Sequence, residues 1–392
     1  MDCVQEMWRI DLNMKLVDVH ERYVGSPISD ALRRLAEHEP ITWEIGGSKK
    51  GKSKREKARD AQIVLLRDIN ARLYFRRIYN AFERGRLTVA KPKMLLEFAK
   101  SELDWRDELE RHGGDAVADA CHIVISKIFN YNAFVKGRLP LCEKDTGLIQ
   151  WSARAAKGSK WSAWHFINSL NVRYCPYCNA ETIGNAALKT SNGVIRLHQS
   201  ELDHFIPQGE YPLLSLSIYN LVPSCSRCNS RFKQSYDPVP EYVKCGAIPI
   251  LHPYSESIHD YVRFEYAPKS VSALFPQKGN DKDNPIVLYA VSGKRKTQAE
   301  EYLRRFHIGE VYRDFYDEEL AANIRIAAQY SPIMRRALNK KYKGITTEEI
   351  DKVLFRASSD SRQINKSRFA KAIIDLRRSI PCTYLECTGK AH

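Results

Sequence analysis

Apolar residues recur every three to four positions over residues 1–170 and again over 271–392, the spacing that lays one face of an α-helix against a core. The strongest such signal spans residues 56–84, where Ile63, Leu66, Ile69, Leu73, Ile78 and Phe82 fall near helical spacing and Gly85 is placed to stop the helix. Ser26-Pro27 opens a shorter helix through Leu32, Leu35 and Ala36, with proline in the first turn, where its missing N–H costs nothing. A further helix is predicted over 92–112, ending at Gly113-Gly114. The rhythm breaks over 171–270, where short strands (194–202 among them) alternate with turns, and it returns beyond Val287. There it predicts helices over 296–306, 309–328, 332–342 and 367–378, and one capped at Thr346-Thr347 with Glu348 and Glu349 in its first turn. The pattern predicts an α+β protein: a helical N-terminal domain (1–170), a small module (171–270) and a helical C-terminal domain (271–392).

Charge narrows the partners. The 392 residues carry 62 Lys+Arg against 47 Asp+Glu, a net +15 that favours a polyanion, most often nucleic acid. A membrane span is not expected, because the longest apolar stretch, 116–134, is interrupted by Asp119, His122 and Lys127. Residues 1–16 carry Asp2, Glu6, Arg9 and Asp11 where a signal peptide would be apolar, so a cytoplasmic location is expected. The run 46–60 holds Lys49, Lys50, Lys52 and Lys54 and reads as a basic loop, either neutralising phosphates or simply solvated. Trp151, Trp161 and Trp164 lie among Arg154, Lys157 and Lys160; docking onto the N-terminal core is the favoured reading over a nucleic-acid surface.

Four of the ten cysteines are paired as Cys175-Pro-Tyr-Cys178 and Cys225-Ser-Arg-Cys228. Four thiolates satisfy tetrahedral zinc with no open position, so the expectation is a structural zinc site. Between and beside the pairs lie Asp203-His204, then Asn220-Leu221-Val222-Pro223, then Asn229 directly after Cys228, with Arg231 and Lys233 close behind. Phosphodiester hydrolysis needs a proton acceptor for water and positive charge at the leaving oxygen. Histidine suits the first task, assigned to His204. Asp203 and Asn229 offer hard oxygen ligands for Mg²⁺ or Mn²⁺. In a regular strand Asp203 and His204 would face opposite sides, so both reach one ion only if the strand ends or bulges there. His198 reads as a strand surface residue and His252 as a structural loop histidine.

This ordered set resembles the HNH (ββα-metal) endonuclease signature, in which D-H, N-L-x-P and C-x-x-C-N with a nearby basic residue follow one another. The match covers roughly residues 175–233. The resemblance implies a zinc-stapled ββα module that cuts DNA, with RNA left open, and leaves 5′-phosphate and 3′-hydroxyl ends. It also implies that Asn220 supports and orients the histidine and that Arg231 and Lys233 contact the nucleic acid. The long helical flanks look like the HNH effectors of bacterial anti-phage systems, Septu-type or retron-associated, which implies an ATPase or other defence-system partner. The alternative is a catalytically silent zinc-containing nucleic-acid-binding protein.

Overall fold

The computed structural model describes residues 12–39, 41–43, 61, 64–65, 67–143, 145, 147–152, 161–190, 193–256, 258–267, 286–314, 319–330, 332–342, 344–357 and 361–379. It is an α+β protein with small sheets. One has three strands, with β1 (Thr42–Trp43) parallel to β3 (Leu148–Ser152) and β2 (Leu139–Cys142) antiparallel to β3. The others are antiparallel hairpins: β4 (Ala186–Thr190) with β5 (Gly193–His198), β6 (Glu201–His204) with β7 (Leu221–Ser224), and β8 (Val262–Tyr266) with β9 (Ile286–Ala290). The stretch read as one strand over 194–202 is two strands, interrupted at Gln199-Ser200.

The N-terminal helices form with different ends: Met14–His20 runs on through a π-helical turn, Glu21–Gly25, into Ser26–Ala36, so Ser26-Pro27 starts no helix, and the helix expected over 56–84 is broken at Arg67-Asp68. The helix Ile69–Gly85 is capped by Asp68, whose carboxylate accepts from the amides of Asn70 and Ala71. Its buried stripe is Ala71, Tyr74, Phe75, Ile78 and Phe82. Ile69 and Leu73 are exposed, because a stripe through 71, 74, 75 and 78 turns them toward solvent. Helix Pro92–Gly113 packs alongside, and Tyr74 donates to the buried Glu102 at 2.7 Å across the two helices. In the C-terminal part, helix Thr347–Phe355 begins with the expected capping box between Thr346 and Glu349. The basic run with Lys49, Lys50, Lys52 and Lys54 lies outside the described residues.

The boundaries at 170 and 270 mark no break in the core. A single apolar cluster runs from Leu12 through Phe134, Phe205 and Tyr254 to Leu376. Pairing of β8 with β9 crosses the second boundary, and hydrogen bonds from His20 to the Leu216 carbonyl and from Ser215 to the Phe129 carbonyl cross the first. Trp161 donates to the buried His20 at 3.1 Å and Trp151 donates to the Lys127 carbonyl at 3.0 Å, so both indoles are docked. Among the described residues no helix is long and apolar enough to cross a membrane.

Candidate functional site

The two cysteine pairs, 50 positions apart in sequence, meet in space. Cys175, Cys178, Cys225 and Cys228 are all buried, and their sulfurs lie within 4.8 Å of one another. Tetrahedral zinc with Zn–S near 2.3 Å needs sulfurs about 3.8 Å apart, so the donor set fits a structural zinc ion. Among the described residues no other group of three or more His, Cys, Asp or Glu side chains converges in this way. Each pair closes a turn: the amide of Asn179 donates to the Cys175 carbonyl at 2.7 Å, and the Cys228 amide points at Cys225 Sγ at 3.4 Å. Hydrogen bonds from Cys175, Cys225 and Cys228 hold the Cys178 thiol well below its ordinary pKa, while burial holds Cys175 well above. Four buried thiols cannot all ionise without a cation among them, and a bound metal resolves that conflict by taking all four as thiolates.

Helices from the C-terminal segment clamp this centre. Asn179, in a left-handed conformation with φ of 53°, donates to the carbonyls of Ile364 and Ser367 and accepts from the Phe369 amide. Tyr302 donates to the Tyr177 carbonyl at 2.6 Å, and Tyr177 stacks on Phe306. The cysteine knuckles are therefore set in the protein core.

Beside the four-cysteine cluster stands the β6–β7 hairpin. Its register is regular, with Glu201 opposite Ser224, Asp203 opposite Val222 and His204 opposite Leu221. There is no bulge, and Asp203 and His204 take opposite faces as strand alternation requires. On one face, His204 lies against the Tyr131 ring at 4.5 Å and its Nε2 donates to the Ser215 carbonyl at 3.0 Å. Burial lowers its pKa from 6.5 to about 4, opposed by the Ser215 bond, so the ring is neutral near pH 7. The second ring nitrogen makes no hydrogen bond among the described residues.

Asn220 supports this arrangement without touching the ring. Its carboxamide accepts from the Ile206 amide at 2.7 Å and donates to the carbonyls of Ile206 and Leu214. These bonds lock the connection from β6 to β7, and Leu214 immediately precedes the carbonyl that holds His204. Three more bonds fix the same connection from the N-terminal part. His20 donates to Leu216, Ser215 Oγ donates to Phe129, and the Ile218 amide donates to Thr88. Sequence reasoning missed Ser215, Tyr131 and His20 because their link to His204 exists only once the segments pack.

The other face of β6 departs from the expectation. Asp203 is buried, and both its oxygens are engaged. Tyr177 donates to Oδ2 at 2.6 Å, and Lys233 Nζ lies 3.1 Å from Oδ1. Lys233 also donates to the His204 carbonyl at 2.8 Å and is only 2% exposed. Lys233 is therefore not a surface phosphate contact; its aliphatic stem passes through the core and its ammonium neutralises Asp203. Arg231 is exposed and keeps its place as a candidate phosphate contact. Asn229 does not join Asp203. Its amide donates to Glu201 Oε2 at 2.8 Å, which Ser230 Oγ also reaches at 3.1 Å. The seven-residue helical segment carrying Asn229, Arg227–Lys233, is a π-helix, closed by the Gln234 amide on the Asn229 carbonyl. Asp203 and Asn229 as they stand do not form a ready divalent-cation site. Glu201 was legible in principle, since it lies two residues from Asp203 on the same strand face.

His198 is exposed on β5, as read. His252 is buried against Phe205, with ring centroids 4.1 Å apart, and its Nδ1 accepts from the Tyr254 amide. It is a structural loop histidine.

Two measurable consequences arise here. Replacing Lys233 with Met leaves the Asp203 carboxylate buried and unpaired, which costs about 3–5 kcal/mol. Urea denaturation reads this loss, and adding Asp203→Asn to Lys233→Met recovers most of it. The second concerns pH. His20, His204 and His252 have folded pKa values of about 4, 4 and 3 against 6.5 when unfolded, burial being the leading cause in each. As pH falls through 6.5 the unfolded chain takes up protons first, so stability is full above about 6.5 and drains away toward pH 4. Denaturant midpoints measured down this range fall steadily, and fall less in a His20→Gln variant.

Comparison of the chain with models of protein families, with curated proteins and with solved structures finds no match.

Proposed function

We propose that the chain is an HNH-type endonuclease that hydrolyses phosphodiester bonds of DNA, with His204 as the general base. The observation that carries this reading is the setting of His204. A neutral imidazole at the end of a strand has one nitrogen fixed by a backbone carbonyl and the other left for a water. A general base needs this division, since the fixed nitrogen sets the tautomer and the ring's aim. Asn220 and Lys233 act as positioning residues. Asn220 fixes the loop that supplies the Ser215 carbonyl, and Lys233 holds the His204 backbone. Arg231, on the exposed side of the Arg227–Lys233 segment, provides positive charge for a phosphate. The defence-system setting and an ATPase partner rest on the sequence resemblance alone.

A second reading is favoured by one observation. Asp203, the expected ligand of Mg²⁺ or Mn²⁺, is neutralised by Lys233 and hydrogen-bonded to Tyr177. A silent zinc-containing nucleic-acid-binding protein would show the same frame with its cation site closed. The two readings separate by cleavage of labelled DNA in a Mg²⁺ and Mn²⁺ titration of the wild type and Asn229→Ala. The nuclease reading expects divalent-dependent cutting that Asn229→Ala weakens and higher cation partly restores. DNA bound but uncut at every cation concentration supports the silent module.

A further inference from the structure

The β4–β5 hairpin lies between the two cysteine pairs and outside the site just described. Every residue of β4 is exposed, as are Arg196, Leu197 and His198 of β5, and Leu188 and Leu197 are 52% and 65% exposed. These two leucines are apolar surface that a partner laid along the ribbon can cover. No acidic residue occurs between Thr182 and Ser200, whereas Lys189 and Arg196 do. Ala187 pairs with Arg196, so Arg196 and Lys189 share one face, while Leu188 takes the other.

Among the described residues, side-chain bonds anchor the ribbon at its base. Ser200 Oγ donates to the Gly184 carbonyl at 2.8 Å and accepts from the Gly184 amide at 2.5 Å. Asn185 donates to the Trp164 carbonyl at 2.8 Å and to Asn168 at 3.0 Å, and the Arg196 guanidinium lies 4.9 Å from the centre of the Trp164 ring. Beyond this base each strand extends roughly 17 Å. Only Gln199 and Ser200 separate β5 from β6, which ends at His204.

We infer that the β4–β5 ribbon is a DNA-docking arm that enters the major groove of a duplex and presents the backbone beside it to His204. This rests on the nuclease reading for its target. A two-stranded β-ribbon fits the major groove, roughly 12 Å wide; its cationic face meets phosphates, and exposed leucines can contact thymine methyls. The arm is distinct from the β6–β7 hairpin that the resemblance assigns to the DNA backbone.

The test uses the full zinc-loaded chain and a fluorescent mixed-sequence duplex, with Ca²⁺ in place of Mg²⁺ to hold cleavage back. Lys189→Gln lowers the log–log salt slope of binding by about 0.9, and Lys189→Gln with Arg196→Gln lowers it by about 1.8. At fixed salt the double variant binds on the order of tenfold more weakly, with zinc content unchanged. A photo-crosslinking residue at position 188 labels the duplex. Because Arg196 also packs on Trp164, the single Lys189→Gln variant and the crosslink decide the matter if the double variant misfolds. Wild type that binds duplex while Lys189→Gln keeps its slope and position 188 fails to crosslink overturns the arm, leaves the nuclease reading standing, and assigns the ribbon to a protein partner. Wild type that does not bind duplex at all overturns both.

Discussion

Replacing Cys178 or Cys228 with Ser leaves a chain that loses its metal and its cooperative unfolding transition. Four-thiolate zinc contributes about 10–16 kcal/mol in small zinc modules, as large as the whole stability of an ordinary domain, about 5–15 kcal/mol. Here the centre is not a detachable appendage. Tyr177 and Asn179, beside the sulfurs, receive Tyr302 and the 364–369 segment, and Tyr177 also holds Asp203. Losing the metal frees the knuckles and with them the docking of the C-terminal helices. Calorimetry and metal analysis read the effect together. Cys245→Ser, at an exposed cysteine outside the cluster, is the control and changes neither.

On the nuclease reading, His204→Gln produces the second large effect, on rate and not on fold. Glutamine can still donate to the Ser215 carbonyl, so the connection between β6 and β7 keeps its anchor, but it cannot take a proton from water. A positioned base contributes about 10²–10⁴-fold, and cleavage falls by that much. Zinc content, DNA affinity and the salt slope stay near wild type. Asn220→Ala lowers cleavage by a different route: it strips support from Leu214 and Ile206, so its loss of rate comes with a loss of stability. A single-turnover rate plotted against urea midpoint for the two variants separates base from positioning residue.

What the sequence disclosed follows from how local each signal is. Cysteine spacing is local chemistry, and the four sulfurs meet as the two pairs implied. Helix ends at Pro92, Gly114 and Thr346 were legible because capping is decided within a few residues. The buried face of Ile69–Gly85 was misjudged at Ile69 and Leu73, because several stripes fit one apolar set and only tertiary packing chooses among them. Lys233 was misread for a related reason. A lysine after a cysteine pair looks like a phosphate contact, yet the π-helical winding of Arg227–Lys233 turns it inward to Asp203. The bonds that aim His204 join positions as distant as Phe129 and Ser215, or His20 and Leu216, and no local pattern encodes them.

The central claim, that this chain cuts nucleic acid, is tested most directly by incubating the zinc-loaded wild-type protein with supercoiled plasmid and Mn²⁺. The account predicts nicked and then linear plasmid carrying 5′-phosphate ends, with His204→Gln at equal zinc content leaving the plasmid supercoiled. Plasmid that stays supercoiled with the wild type, or is cut equally by His204→Gln, contradicts it.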